Sequence, residues 1–553
     1  MRTAVLIITT ALILYLLAGF VMSPLTFLAS DNGLRWLQIQ ELVNHGWRTF
    51  AIDYPARFVD PELRHVPYYY AYSVIDNQIF FAISPFFPLI VSALYAGLGL
   101  AGLPVLPVLG SVLTAWAVYR LFELSQLRYP YLAFWATIFA TPLFFYSLEL
   151  WDHSLGTALA LWGVYGLARG LRQGTWLPLS LGGVAIGLAV GQRPELYVFA
   201  IALGTGLILV SWPRWRLWLA LGGGGLLGAL PVWGLQYLWV GHPLGMSTAP
   251  HLLDYGQPDA FPVSPPEVSG VLKAGYLLLH IEPRSPTTFL AALLILLGCA
   301  LIVLTMSRER GANPARLAGG FVIVILGYGF LAWTVREKPI IGLVSTFPLL
   351  PLSLIYPDLP GDENRPQRDV YRLVLLTVFL FLGLMLLAWP TFGGLQWGAR
   401  YLLPAYPLLL YLAGQGFTVY GRKLDAPRQA ILRWGAAGLL LTSALLQMQG
   451  ARLLHENHRQ QAVYRDALAA LPADVILTNE PFMPSAMSSI TGKIFIHVRD
   501  ERELEALLPR LAQHGIDRVA VVSQEAAPLS LSDEIGGFSV EQIAPFIYEI
   551  GGT

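Results

Sequence analysis

Residues 4–21 read AVLIITTALILYLLAGFV, an unbroken apolar run without a charged side chain, and the fold class turns on how that run is read. A helix needs about 20 predominantly apolar residues to cross a ~30 Å hydrocarbon core. This stretch has that length. It follows a lone Arg2 and ends in Met22-Ser23-Pro24 without a small-x-small cleavage pattern, so it reads as a retained first span rather than a removed signal peptide. The whole chain agrees: of 553 residues 55% are hydrophobic and 13% charged, and the mean hydropathy is +0.57. Such a composition belongs to integral membrane proteins. The formal net charge of zero leaves no electrostatic footprint for nucleic acid. The single cysteine, Cys299, lies in an apolar run and allows no intrachain disulfide.

Testing every apolar run as a crossing gives spans at 4–22, 104–122, 131–148, 153–168, 176–190, 195–211, 216–240, 286–306, 317–335, 339–356, 370–389, 401–420 and 431–449, about thirteen in all. Basic residues gather in alternate connections: Arg120 and Arg128; Arg169 and Arg172; Arg214 and Arg216; Arg308, Arg310 and Arg316; Arg365, Arg368 and Arg372; Arg422, Lys423, Arg428 and Arg433. The positive-inside rule makes these the cytoplasmic loops. The N-terminus is then cytoplasmic, and an odd number of crossings delivers the C-terminus outside. The run 84–102 is equally apolar, yet counting it as a crossing would invert every later loop. It reads instead as a juxtamembrane or re-entrant helix.

The expected fold is mainly α: a polytopic membrane helix bundle over 1–449, with juxtamembrane helices in a first outer loop at 23–83, and a small extracytoplasmic α/β domain over 450–553. In the outer loop Asn32 to Asn44 has a helical pattern, with Asp31 at its N-cap. The tail carries β-type runs at 475–477, 494–496 and 519–522 and an amphipathic helix at 501–513, a β-α-β pattern. No internal repeat is evident, which weakens a transporter built on inverted repeats.

Charged groups near membrane depth are costly and therefore informative. Asp31 is either an ordinary N-cap or an acid facing an outer cavity. Glu149, Asp152 and His153, in Glu-Leu-Trp-Asp-His, either cap and anchor a helix or turn toward one cavity to bind a divalent metal ion. Arg193 and Glu195, in Gly-Gln-Arg-Pro-Glu, occupy a short outward connection; an arginine there implies a local partner, either Glu195 or an anionic ligand. Arg400 and Tyr401, in Trp-Gly-Ala-Arg-Tyr-Leu-Leu-Pro, are interfacial anchors or a phosphate-binding pair. Arg336 and Lys338, and His251, Asp254, Lys273 and His280 of the loop 241–285, are weaker candidates.

The order and sidedness of Asp31, the aromatic-rich outer loop, Asp152, Arg193 and the Arg-Tyr-Leu-Leu-Pro segment resemble the glycosyltransferase C superfamily, in the manner of bacterial lipid A aminoarabinose transferases and protein O-mannosyltransferases. The first half of the chain carries most of the resemblance. It implies a polyprenyl-phosphate sugar donor, an acceptor that is a glycan, lipid or protein, and membrane lipids as surroundings. It also implies a catalytic acid at Asp31, a second acidic site at Asp152 and a basic position at Arg193, with transfer on the outer face of the cytoplasmic membrane. The chain departs from the common pattern in having Asn32 after the acid and Ile83-Ser84 before Pro85, which moves phosphate binding onto Arg193 and Arg400. A transporter or flippase of lipid-linked glycans, an O-antigen ligase type enzyme and a non-enzymatic scaffold are the alternative readings. A transporter would spread charge along the spans, whereas the middles of most spans here are bare.

Overall fold

A computed structural model of the chain describes residues 2–21, 26–27, 29–68, 72–212, 214–245, 270–280, 285–307, 313–355, 365–389, 393–394, 396–480, 482–525, 528–529 and 531–552. Helices dominate: α1 (Arg2–Val21), α2 (Ser30–Asn44), α3 (Phe86–Leu98), α4 (Val105–Leu124), α5 (Pro130–Phe139), α6 (Leu143–Ser147), α7 (His153–Gln173), α8 (Trp176–Val190), α9 (Glu195–Ser211), α10 (Trp215–Val240), α11 (Gly270–Ala274), α12 (Pro286–Ser307), α13 (Pro314–Thr334), α14 (Leu350–Ser353), α15 (Arg365–Ala388), α16 (Ala405–Lys423), α17 (Ala426–Ala469), α18 (Met483–Ala486) and α19 (Glu501–Gln513). Among the described residues six helices are long and apolar enough to cross a membrane, and several apolar helices are shorter. The chain is a multi-pass membrane protein.

The expectation of about thirteen continuous spans needs correction in two places. The run 131–148 is broken at Thr141-Pro142 into α5 and α6. The run 339–356 is not a helix apart from the single turn α14, because Gly342, Pro348 and Pro351 interrupt it. Irregular backbone at membrane depth survives only where protein covers it. Here it is covered: residues from Ile340 to Ser353 are buried, Leu343 N and Val344 N donate to Leu277 O and Leu278 O at 2.8 Å, and Tyr328 Oη donates to Val344 O. The segment still runs from one end of the bundle toward the other. Ile340 O accepts from Gly398 N, whereas beyond the segment Gln367 Nε2 donates to Ser125 O at 2.8 Å. Asp369 pairs with Arg214 at 2.8 Å, so connections grouped by their basic charge lie together at one end.

The juxtamembrane run becomes α3, which buries Phe86, Phe87 and Val91 and packs on α2. Tyr72–Ile75 (β1) and Gln78–Phe81 (β2) form a hairpin turned by Asp76 and Asn77, both at positive φ. Helix α17 runs 44 residues, about 66 Å at 1.5 Å per residue. That is roughly twice the hydrocarbon thickness, so the helix continues through position 450 as a stalk and delivers Leu468 to a core with Ile476, Met483 and Val522.

The expected β-α-β tail is present. Strands β3 (Val475–Thr478), β4 (Ile494–His497) and β5 (Arg518–Val522) pair in parallel in the order β4-β3-β5. Helix α19 buries Leu504, Leu507, Leu508 and Leu511, one face at helical spacing, and Asp500 caps it by accepting from Glu503 N at 3.0 Å. The sequence reading missed an antiparallel extension, β8 (Ile547–Gly552), β7 (Phe538–Ala544) and β6 (Glu534–Ile535), beside β5. It also missed that the tail shares a core with the first loop: Ile52, Tyr54, Val66 and Phe81 pack with Val475, Ile496, Leu507 and Val521. Backbone bonds reinforce the seam, His497 N donating to His65 O at 2.8 Å.

Candidate active site

Helix α2 sets the geometry. It starts at Ser30 with Ala29 as N-cap, which corrects the expected cap at Asp31; Asp31 lies in the first turn, and its carboxylate reaches outward instead of capping. Arg400 Nη1 donates to Asp31 Oδ2 at 3.1 Å, from a 3-10 turn (Arg400–Leu402) that leads into α16. Gly33, on the next face of α2, lies against α18. A Cβ there would stand 1.7 Å from Ser485 O, so only glycine lets the tail close on this helix.

Asp152 is the N-cap residue of α7 but makes no side-chain capping bond. Its two oxygens go to guanidiniums: Oδ2 accepts from Arg35 Nη2 at 2.8 Å and Oδ1 from Arg193 Nη1 at 2.7 Å. Arg35 also donates through Nη1 to Asp31 O at 2.8 Å, linking the two acidic positions. Burial would raise the Asp152 carboxyl, but Arg35 and Arg193 outweigh it and hold it below the ordinary carboxylate range. Arg193 Nε bonds Glu195 Oε1, so the residue partner offered by the sequence is engaged and Asp152 is a second, while Nη2 has no partner among the described residues. Tyr401 lies under both cations, with its ring centroid 5.0 Å from Arg400 Cζ and 5.9 Å from Arg193 Cζ.

Glu149 faces elsewhere. It accepts from Asn32 Nδ2 at 2.8 Å and pairs with His458 Nε2 of α17 at 2.5 Å. The ring of His153 packs on Tyr146 and Trp151, and its Nε2 is buried without a hydrogen bond among the described residues. Glu149, Asp152 and His153 therefore do not converge on a metal position, and the arginines around Asp152 oppose a divalent cation there. Among the described residues the one group whose donor atoms converge is Glu41, His45 and Asp53, farther along the first loop.

The sequence candidates Asp31, Asp152, Arg193, Glu195, Arg400 and Tyr401 thus form one network at the end of the bundle opposite Arg214 and Asp369. Arg35, Asn32, Gly33 and His458 were missed. Arg35 carried one signal, its i, i+4 spacing from Asp31 on a helix; the others gave none without knowledge of packing. Arg336 and Lys338 are not in the network, and Arg336 O accepts from Arg452. Lys273 Nζ donates to Trp389 O at 2.7 Å, and His280 Nδ1 accepts from Ile341 N, so both support the irregular inner segments. His251 and Asp254 lie outside the described residues.

Beside Asp31 and Arg400 opens a cavity of about 690 Å³, which the tail closes from above through Tyr464, Glu480, Gln524 and Phe546. Asp31 keeps 28% of its side chain exposed there, against 1% for Asp152. That difference separates a group able to meet a ligand from one held in the wall.

No family model and no curated protein sequence matches the chain. Solved structures do. ArnT from Cupriavidus metallidurans bound to undecaprenyl phosphate superposes with a TM-score of 0.51 at 14% identity, covering 99% of this chain and 98% of that one; its apo form gives 0.53. The archaeal oligosaccharyltransferase AglB from Archaeoglobus fulgidus, in complex with an inhibitory peptide and a dolichol-phosphate, gives 0.50 at 11% identity over 93% of this chain and 69% of that one. At these identities the likeness is one of fold, and it extends over nearly the whole of this chain.

Proposed function

We propose that the protein is a membrane glycosyltransferase that moves a hexosyl or pentosyl group from a polyprenyl-phosphate donor to a glycan, lipid or protein acceptor. The observation that carries this reading is the Asp31–Arg400 pair, 3.1 Å apart at the edge of a 690 Å³ cavity. The structural neighbours, one bound to undecaprenyl phosphate and one to a dolichol-phosphate, support a lipid-linked donor. The site opens on the extracytoplasmic face of the cytoplasmic membrane, with the N-terminus inside and the C-terminal domain outside, in keeping with the basic loops at the far end of the bundle. A lipid tail can stay in the bilayer while its sugar phosphate reaches the cavity.

In the step, the acceptor hydroxyl or amine gives its proton to an Asp31 oxygen as its lone pair attacks the anomeric carbon. The bond from that carbon to the phosphate oxygen breaks, and the electron pair leaves with polyprenyl phosphate. Asp31 needs hydrogen-bond reach rather than an extreme pKa. Negative charge grows on the departing phosphate, and Arg400, which lines the cavity, is placed to meet it. Arg193 contributes Nη2, which has no partner among the described residues, and otherwise fixes Asp152. Attack opposite the leaving group inverts the anomeric centre. The Glu41, His45 and Asp53 group is a candidate cation site outside this step. Asp31→Asn, assayed for transfer from a polyprenyl-phosphate sugar, should lower turnover by about 10²–10⁴-fold with unchanged expression. Wild-type turnover in that variant would remove the mechanism.

A further inference from the structure

We propose that a groove at the opposite end of the bundle from Asp31 binds an anionic phospholipid. The groove holds about 670 Å³ between α5, α16 and α17, and its wall is apolar, with Leu132, Ala136, Leu352, Ala413 and Ala437 among the lining side chains. Arg128 and Arg433 line it as well, both exposed. Neither makes an ion pair among the described residues.

Distance from the active site follows from the helices themselves. Arg433 lies 25 residues before His458 on α17 (458 − 433), roughly 38 Å at 1.5 Å per residue. Arg128 precedes α5, whereas Glu149 and Asp152 follow α6 at the other end. The rim is rigid on the Arg128 side: Arg128 N donates to Thr418 Oγ1 of α16 at 3.4 Å, and Pro130 starts α5. Tyr129, 53% exposed, packs its ring 6.3 Å from Phe417, a normal placement for an aromatic at the membrane–water boundary.

The composition of the groove selects the occupant. Packed interiors carry few voids larger than a water molecule, so an apolar trough of this size open toward the bilayer calls for a hydrocarbon chain. Two guanidiniums at its mouth, without an ion pair among the described residues, call for a phosphate, which each can bind through paired N–H groups. Basic pockets between membrane helices on the cytoplasmic side bind anionic lipid headgroups in this manner. The lipid carrier is disfavoured as occupant because its phosphate here would be a membrane's width from Asp31. The groove does not depend on the transfer reaction.

The test uses the full-length protein in nanodiscs of phosphatidylglycerol and phosphatidylcholine, with lipid retention read by native mass spectrometry after extraction. Wild type should retain phosphatidylglycerol over phosphatidylcholine. Neutralising each arginine should weaken that preference about fivefold, from roughly 1 kcal/mol per basic residue near a lipid surface, so Arg128→Ala with Arg433→Ala should nearly abolish it. Lysine at both positions should keep most of it. Ala437→Trp, at an exposed lining position, should block retention with both charges intact. Equal retention of the two lipids, an unaffected double variant, an unaffected Ala437→Trp, or displacement of phosphatidylglycerol by equimolar polyprenyl phosphate would each overturn the proposal.

Discussion

Gly33→Ala puts the junction between the first loop and the tail under direct test. The added Cβ would stand 1.7 Å from Ser485 O, 2.6 Å from Ser485 C and 3.0 Å from Ser488 Oγ. Ordinary contact begins near 3.4 Å, so the α18 backbone must retreat by 3.4 − 1.7 = 1.7 Å. Because the obstacle is main chain, no rotamer change relieves it. Overpacking of this kind costs about 1–3 kcal/mol, and a displacement of about 1 Å near reacting groups can cost 10²-fold in rate. Turnover should therefore fall about 10²-fold, with faster amide exchange in α2 and in residues 483–488. Ser488→Ala is the matched control: it removes only the 3.2 Å bond to Gly33 O, worth about 0.5–1.5 kcal/mol, and should leave turnover near wild type. Wild-type turnover and exchange in Gly33→Ala would refute the claim that the tail seats on α2.

Asp152→Ala should destabilise the protein by about 3–5 kcal/mol, read as loss of monodisperse protein in detergent, because Arg35 keeps only its bond to Asp31 O and Arg193 only Glu195. Arg193→Ala should raise the apparent dissociation constant for a polyprenyl-phosphate donor; unchanged donor affinity would discredit its phosphate role. Acid should loosen the seam. Burial lowers the pKa of His497, and nearby Glu503 only partly offsets this. A histidine whose folded pKa is depressed gives stability that is complete above its unfolded pKa of about 6.5 and is lost as pH falls below it. The protection factors of the amides of residues 65 and 497, taken relative to intrinsic exchange at each pH, should fall between about pH 7.5 and 5.5 and less so in His497→Gln; an identical pH response in that variant would contradict the assignment.

The bundle and the β-α-β tail were legible because hydropathy and strand period are local properties. So were Asp31, Asp152, Arg193 and Arg400, since a charge in so apolar a chain is conspicuous wherever it falls. What the sequence hid were partners: Arg400 meets Asp31 across 369 positions and His458 meets Glu149 across 309. Only packing creates those pairs. The run 339–356 misled because length and apolarity suit a span, while its prolines and Gly342 argued for irregular backbone that protein would have to cover. The spacing of Glu149, Asp152 and His153 suggested a metal set, yet three neighbours in sequence at a helix start point in different directions, and the arginines claimed one of them.

The mixed core of residues 50–81 with residues 475–550 also orders events during synthesis. The early segment emerges with Ile52, Tyr54, Val66 and Phe81 and finds no surface to cover them until the last strands are made. Contacts so remote in sequence form late and leave apolar groups exposed meanwhile. Nascent chains arrested before residue 475 should therefore show the early hairpin open to protease and bound by folding helpers, and release of the final strands should be the moment at which the cavity first acquires its roof.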